Sequence, residues 1–465
     1  MRKKYDLKSI EDIDSMTYKD VISYYKSYYN PGMLIFYKAL GFDKFIPVKA
    51  EGMHIYLENG RKILDCTGGV GVLNVGHNHP RILAAREKIN REKRMEFSKA
   101  FLSPYIALLA RNTAEIFPGD LEYSFFCNSG SEAIEGAMKT AEKYQGLEKD
   151  IILYSDKSFH GKTHAAMSVS SLDDSKKYFK RLSGCVSFKY NDFEDLENKI
   201  IDNKNRVCSV ILEAIHGTRV IIPDDGYLQK VRKLCDNNDI ILIMDEVYTG
   251  FGRTGEMFAF ERENIVPDIV CFSKSLGGGK ATIGGFIMRK KIFEKTWGAS
   301  KDSLIHTTTF SGMSEECATA IESLNIINDE NLVENSEKLG LYFKEELTAL
   351  KNEFPDIIKE VRGRGLLIAV EFNDENSGLK SVISGVIKKT GYSLPEIFSA
   401  MIIGEFFHAY DIMAYLSYSR RDILVFSPPL IITKNEIDYI ITSFRKILKN
   451  NISELSLKTF FRIIT

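Results

Sequence analysis

A chain of 465 residues, 44% hydrophobic and 27% charged, has enough apolar surface for large cores, which excludes a disulfide-stapled miniprotein and global disorder. Its 62 Lys and Arg against 63 Asp and Glu leave a net charge of −1, so no general field gathers nucleic acid or anionic membrane. The seven cysteines include no CxxC pair, and Cys127, Cys208 and Cys271 lie in apolar runs, so they read as buried thiols of a reducing compartment. No stretch approaches ~18 consecutive apolar residues and no apolar core follows the first residues. The expectation is a soluble cytoplasmic protein that engages neither membrane nor nucleic acid.

The first 45 residues are rich in Tyr and Phe, among them Tyr24, Tyr25, Tyr28, Tyr29, Phe36 and Tyr37, a content suited to packing on a partner or on the core. Short β-rich runs then alternate with helical patterns, the signature of βαβ units. Strands are predicted at 123–127, 151–154, 207–212, 240–244, 269–272 and 285–288, with helices at 131–145 and 228–237. Near-continuous Ile, Val, Leu and Phe content predicts strands covered on both faces. From about Ser314 longer amphipathic patterns take over, at 331–350, 394–410 and 434–448, with β-like segments at 366–372 and 423–426. A second, smaller α+β domain fits that change, and the apolar 394–410 pattern is too short for a membrane span and reads as a buried helix.

Some motifs carry little. Gly68-Gly69-Val70-Gly71 lacks dinucleotide-fingerprint spacing, and Gly278-Gly279-Lys280-Ala281 lacks the Ser or Thr of a P-loop. His77-Asn78-His79-Pro80 has no third ligand nearby and reads as a turn, so no metal site is expected.

Three others point to one chemistry. Asp245 closes the apolar run 240–244, where a carboxylate either caps a turn or meets a cationic partner. Lys274 follows the strand 269–272, and a desolvated lysine serves as Schiff-base nucleophile and general base. Cys127-Asn128-Ser129-Gly130-Ser131-Glu132 places a turn between a strand and a helix start, whose backbone N–H groups suit a phosphate. The same segment also reads as an ordinary capping box, Ser129 with Glu132, and both readings hold together. A carboxylate for a pyridine nitrogen, a lysine and a phosphate cup are the parts a pyridoxal-phosphate site needs.

At this point the chain resembles the class III pyridoxal-phosphate-dependent aminotransferases, nearest their putrescine and ornithine, or ω-amino, branch. The matching stretches include Gly-Gly-Val-Gly-Val-Leu-Asn-Val-Gly-His at 68–77, Phe-His-Gly-Lys at 159–162, Met-Asp-Glu-Val at 244–247 and Thr-Gly-Phe-Gly-Arg-Thr-Gly at 249–255. Phe-Ser-Lys-Ser-Leu-Gly-Gly-Gly at 272–279, His-Thr-Thr-Thr-Phe at 306–310 and Ser-Pro-Pro-Leu at 427–430 continue the order. The resemblance implies the type I fold of such enzymes: a large, mainly parallel seven-stranded α/β domain at 91–330 and a smaller α+β domain from both chain ends. The segment 1–90 would be shared between that small domain and a dimer interface, and 331–465 would complete the small domain.

By motif position, Lys274 would bond the cofactor and act as acid and base, and Asp245 would hold the pyridine nitrogen protonated. Ser129, Gly130 and Ser131 would bind phosphate, joined by Thr309 from the partner of a homodimer. Phe159 and Val247 would flank the ring, with His160 and Glu213 beside it. The activity implied is ping-pong transfer of an amino group between an amine and a carbonyl acceptor.

This chain also departs from the family. Val425 stands where an arginine grips a substrate α-carboxylate, and Thr218 stands where a glutamate pairs with that arginine. Losing both strands neither. Tyr248 replaces a glutamine that contacts the cofactor's ring hydroxyl, a bond its phenol can supply, and Met313 places a bulkier side chain near the interface. Arg219 is the candidate to grip a carboxylate from another direction. The expected substrate is therefore a diamine, ω-amino compound or apolar-chain amine or aldehyde without an α-carboxylate. Two alternatives keep the same residues: a pyridoxal-phosphate enzyme of another reaction type, racemase or aminomutase, and a non-catalytic dimeric cofactor-binding protein.

Overall fold

The computed structural model describes residues 5, 7–96, 100–171, 177–373, 393–417 and 420–449. The tail at 450–465, expected in the small domain, lies outside the described residues. Near the start, β1 (Pro47–Glu51), β2 (His54–Leu57) and β3 (Lys62–Asp65) form an antiparallel meander. There follow β4 (Leu121–Cys127), β5 (Ile151–Ser155), β6 (Cys185–Phe188), β7 (Val207–Glu213), β8 (Ile241–Asp245), β9 (Ile269–Phe272) and β10 (Gly284–Arg289). These seven make one sheet in the order β4-β10-β9-β8-β7-β5-β6. Only β10 runs against its neighbours, so β4 to β9 all point one way.

Every residue of β5, β7, β8 and β9 is buried, as expected of parallel strands covered on both faces. The six strands expected from sequence are present within one or two residues. The strand at β6 was not expected. It is a four-residue edge strand, half exposed, and its Cys-Val-Ser-Phe pattern is too short to stand out.

Beyond the large sheet, β11 (Ile358–Arg364) and β12 (Leu367–Phe372) form a hairpin. Then β13 (Ile412–Met413), β14 (Tyr415–Leu416) and β15 (Ile423–Phe426) follow the helix Leu394–Tyr410. The strands β11-β12-β15-β14 make an antiparallel sheet, whereas β13 crosses to pair in parallel with β3, Ile412 opposite Leu64. The two ends of the chain are thereby stitched together. Phe398, Met401, Ile402, Ile403 and Phe406 of that helix are buried, which is why its sequence is apolar all round.

Arg253 locks these parts to the large sheet. Fully buried, it donates to the carbonyls of Leu366 and Pro428 and to Asn74 Oδ1, and burial pushes its guanidinium down to about 10. His77 and His79 bond Asp65 and Glu330 at 2.9 and 3.0 Å, holding the turn they share.

Candidate active site

Because β4, β5, β7, β8 and β9 are parallel, the residues after their carboxyl ends converge on one edge of the sheet, the edge that hosts sites in α/β folds. Glu213 ends β7 and lies directly opposite Asp245 at the end of β8. Asp245 Oδ2 is 2.6 Å from His160 Nδ1, and Oδ1 accepts the Val247 N–H at 2.9 Å. His160 is buried and its Nε2 has no hydrogen-bond partner among the described residues. Glu213 accepts the N–H groups of Phe159 at 3.1 Å and Gly217 at 2.9 Å. Burial raises its carboxyl to about 7, the His160 ring opposing that rise and Asp245 adding to it.

Lys274 begins a short 3₁₀ turn after β9 with a positive φ of 42°, an uncommon conformation for a side chain of this size and one that marks sites where a group must be aimed. Its Nζ lies 4.0 Å from the centroid of the Tyr248 ring. Burial draws its amine down to about 8, against the pull of Asp245 and Glu213. That value lets a sizeable fraction be neutral, and therefore nucleophilic, near neutral pH.

The turn after β4 is built as a helix start. Ser129 caps the helix Gly130–Gln145, its Oγ accepting the Glu132 N–H at 3.2 Å. The Glu132 carboxylate reaches one residue further back than a capping box requires, to the Asn128 N–H at 2.7 Å. Gly130 lies against Val247, where a Cβ would fall 2.8 Å from Val247 Cγ1. The helix start therefore packs directly on the segment that follows Asp245.

Thr309 is exposed and half-buried Met313 lies four residues on. Their loop is tied to the turn after β4 through Asn128 Nδ2, which donates to Thr308 Oγ1 at 3.3 Å. Thr218 Oγ1 lies 3.5 Å from His216 Nδ1, and Arg219 donates its backbone N–H to the same nitrogen at 3.1 Å.

Val425 is fully buried in an apolar cluster with Val220, Tyr248, Leu367, Ala369 and Ile423. An arginine there would be a buried charge, which the family resemblance pairs with a glutamate at position 218. Val425→Arg alone should destabilise the fold by about 3–5 kcal/mol, the cost of an uncompensated buried charge. Adding Thr218→Glu should recover part of the loss, as urea unfolding of the single and double variants will read.

The sequence of residues 38–448 matches the family model for class-III aminotransferases. The chain belongs to the class-III aminotransferases. Solved relatives agree along nearly the whole length. An (S)-enantioselective ω-transaminase from Thermomicrobium roseum has 25% identity and a TM-score of 0.81 over 94% of this chain and 100% of its own. A structure of the Toxoplasma gondii ornithine aminotransferase, described with partial occupancy of pyridoxal phosphate at the active site, has 26% identity and a TM-score of 0.78 over 98% of this chain and 100% of its own. A transaminase from the marine bacterium Virgibacillus has 26% identity and a TM-score of 0.78 over 90% and 94%.

This aminotransferase accordingly has the type I α/β fold, and pyridoxal 5'-phosphate is its cofactor. The residues present fit that group: a buried carboxylate at a strand end, a neighbouring imidazole with a free nitrogen, a desolvated lysine and a capped helix start. Three residues around these had no signal in sequence. His216 is a buried neutral imidazole, held down to about 3 by burial. Ser170 fixes the His160 backbone, accepting its N–H at 2.8 Å. Tyr415 meets Tyr248 from 167 positions away.

Proposed function

We propose that this aminotransferase moves an amino group between a carbonyl acceptor and an amine or aldehyde that lacks an α-carboxylate, by a ping-pong mechanism at Lys274. Pyridoxal phosphate supplies a carbonyl carbon that captures the amine and a ring that draws electrons from the substrate carbon. Lys274 Nζ would anchor the cofactor and would carry the proton between the substrate and cofactor carbons. Asp245, which accepts the Val247 N–H and faces His160, would keep the pyridine nitrogen protonated. Ser129, Gly130 and Ser131 would hold the phosphate at the helix start.

The observation that carries the substrate class is the burial of Val425 among apolar side chains next to Tyr248, whose ring borders Lys274. No guanidinium reaches the site from that position. Arg219 is engaged through its backbone, its N–H with His216 and its carbonyl with Arg362.

The test is a half-reaction. Purified protein loaded with pyridoxal phosphate is given one amine at a time, from diamines through alkylamines to α- and ω-amino acids, while the cofactor's visible absorbance is followed. Amines without an α-carboxylate should convert the cofactor at least tenfold faster than α-amino acids, and Arg219→Ala should leave that ratio unchanged. Ready conversion by ornithine or glutamate would overturn the substrate class and leave the aminotransferase assignment intact.

The same reading includes a homodimer in which Thr309 reaches the partner's phosphate site. Leu304, Ile305 and Phe310 around Thr309 are exposed, as are Phe101 and Leu102, and Ile106 lies against Gly312 of that loop. An apolar face of this kind suits a second copy of the chain. All seven cysteines are free, which supports a reducing, cytoplasmic setting.

A further inference from the structure

Tyr248 was expected to offer its phenol to the cofactor, and the structure directs that hydroxyl elsewhere. Its ring stands in a slot between two glycines. A Cβ on Gly71, where φ is +81°, would fall 2.4 Å from Tyr248 Cδ2 and Cε2, and one on Gly217 would fall 2.3 Å from Cδ1. No other residue type leaves room for the ring on both sides. The hydroxyl at the far end of the ring meets the hydroxyl of Tyr415 on β14.

The direction of this chain of hydroxyls follows from its last member. Ser427 Oγ donates to the Thr67 carbonyl at 2.7 Å, so it faces Tyr415 Oη, 3.4 Å away, as an acceptor. Tyr415 therefore donates to Ser427 and accepts from Tyr248. Burial raises both phenols above their ordinary range, Tyr415 well above it, so both keep their protons across the physiological range. The Tyr248 proton is committed to Tyr415, and what Tyr248 turns toward Lys274 is its ring face, 4.0 Å from Nζ.

We infer that Tyr415 is a positioning residue for the reacting amine: by holding the Tyr248 hydroxyl it keeps the aromatic face seated against Lys274 Nζ. The inference rests on the reading of Lys274 as the reacting amine. A ring face favours the ammonium over the neutral amine. It thereby partly offsets the desolvation that draws the lysine down. Tyr415 also sits opposite Val425 in the β14–β15 pair, so the residue that replaces the family arginine and the residue that anchors the ring share one wall.

The test is competitive acetylation of the full-length, cofactor-free protein with acetic anhydride between pH 6 and 10, read by mass spectrometry at the Lys274 peptide. Lys230, exposed on the helix Tyr227–Asn237, is the internal reference. Tyr248→Leu and Tyr415→Phe should each lower the Lys274 midpoint by at least half a pH unit, with Lys230 unmoved. Tyr248→Phe should behave like Tyr415→Phe, because either change removes the same bond. Should Tyr415→Phe fail to fold, Ser427→Ala, which removes the acceptor for the Tyr415 proton, should shift Lys274 in the same direction by less.

A shift in Tyr248→Leu with none in Tyr415→Phe means the glycine slot alone seats the ring and overturns the inference. No shift in either variant also overturns it. Borohydride reduction of the cofactor-loaded wild type, followed by peptide mapping, separates the underlying reading. Label on a lysine other than 274 sinks the assignment of Lys274 itself, whereas label on Lys274 with an unmoved Tyr415→Phe midpoint sinks only the role of Tyr415.

Discussion

Lys274→Ala should cripple amino transfer, lowering the half-reaction rate with the best amine by up to ~10⁴-fold, the loss expected when the proton carrier is removed. The cofactor should remain bound through the helix start and Asp245, yet borohydride should no longer fix it to the protein. Lys274→Arg should be equally inactive, since guanidinium stays protonated and forms no such bond. Rescue by added small amines would assign the lost function to the amine nitrogen rather than to packing.

The pH dependence has a definite sign. The amine must be neutral to attack, and burial places its midpoint at about 8. Capture of added pyridoxal phosphate by the cofactor-free protein should therefore rise about tenfold per pH unit below pH 8 and level off above it. Stopped-flow absorbance measures this directly. A profile that falls between pH 6 and 8 would contradict both the burial and the role.

The residues of the proposed site stood out in the sequence because each carries its signal locally. Asp245 and Lys274 sit at the ends of apolar runs where a charge is costly without a use, and Ser129 to Glu132 announces a helix start. The parallel strands were legible for the same reason, since burial on both faces leaves an unbroken apolar run. What was hidden depends on contacts between distant residues. Nothing in the sequence near Tyr248 points to Tyr415 or to the Gly71 and Gly217 slot, and nothing at Cys185 marks an edge strand. The Tyr248 phenol was read as a donor to the cofactor, whereas the fold supplies Tyr415 as its acceptor. Chemistry borne by one segment was readable in one segment; an aromatic wall assembled from four segments was not.

Asp245→Asn should lower the half-reaction rate by on the order of 10³-fold, about 4 kcal/mol in activation free energy. The replacement keeps the volume and can still accept the Val247 N–H, so the loss isolates the charge. Its amide would face His160 Nδ1 as a donor, forcing that imidazole into the other tautomer. The pyridine nitrogen would lose the anion that keeps it protonated. Two further readouts distinguish this from simple misfolding. Asp245 supports the Lys274 ammonium and opposes ionisation of Glu213, so its removal should move both midpoints downward, Lys274 below about 8 and Glu213 below about 7. A variant that folds with the wild-type unfolding midpoint and loses rate while Lys274 becomes easier to acetylate near pH 7 fits a charge acting on the ring. Equal losses of rate and Lys274 reactivity would instead mean that Asp245 serves only to hold the strand ends together.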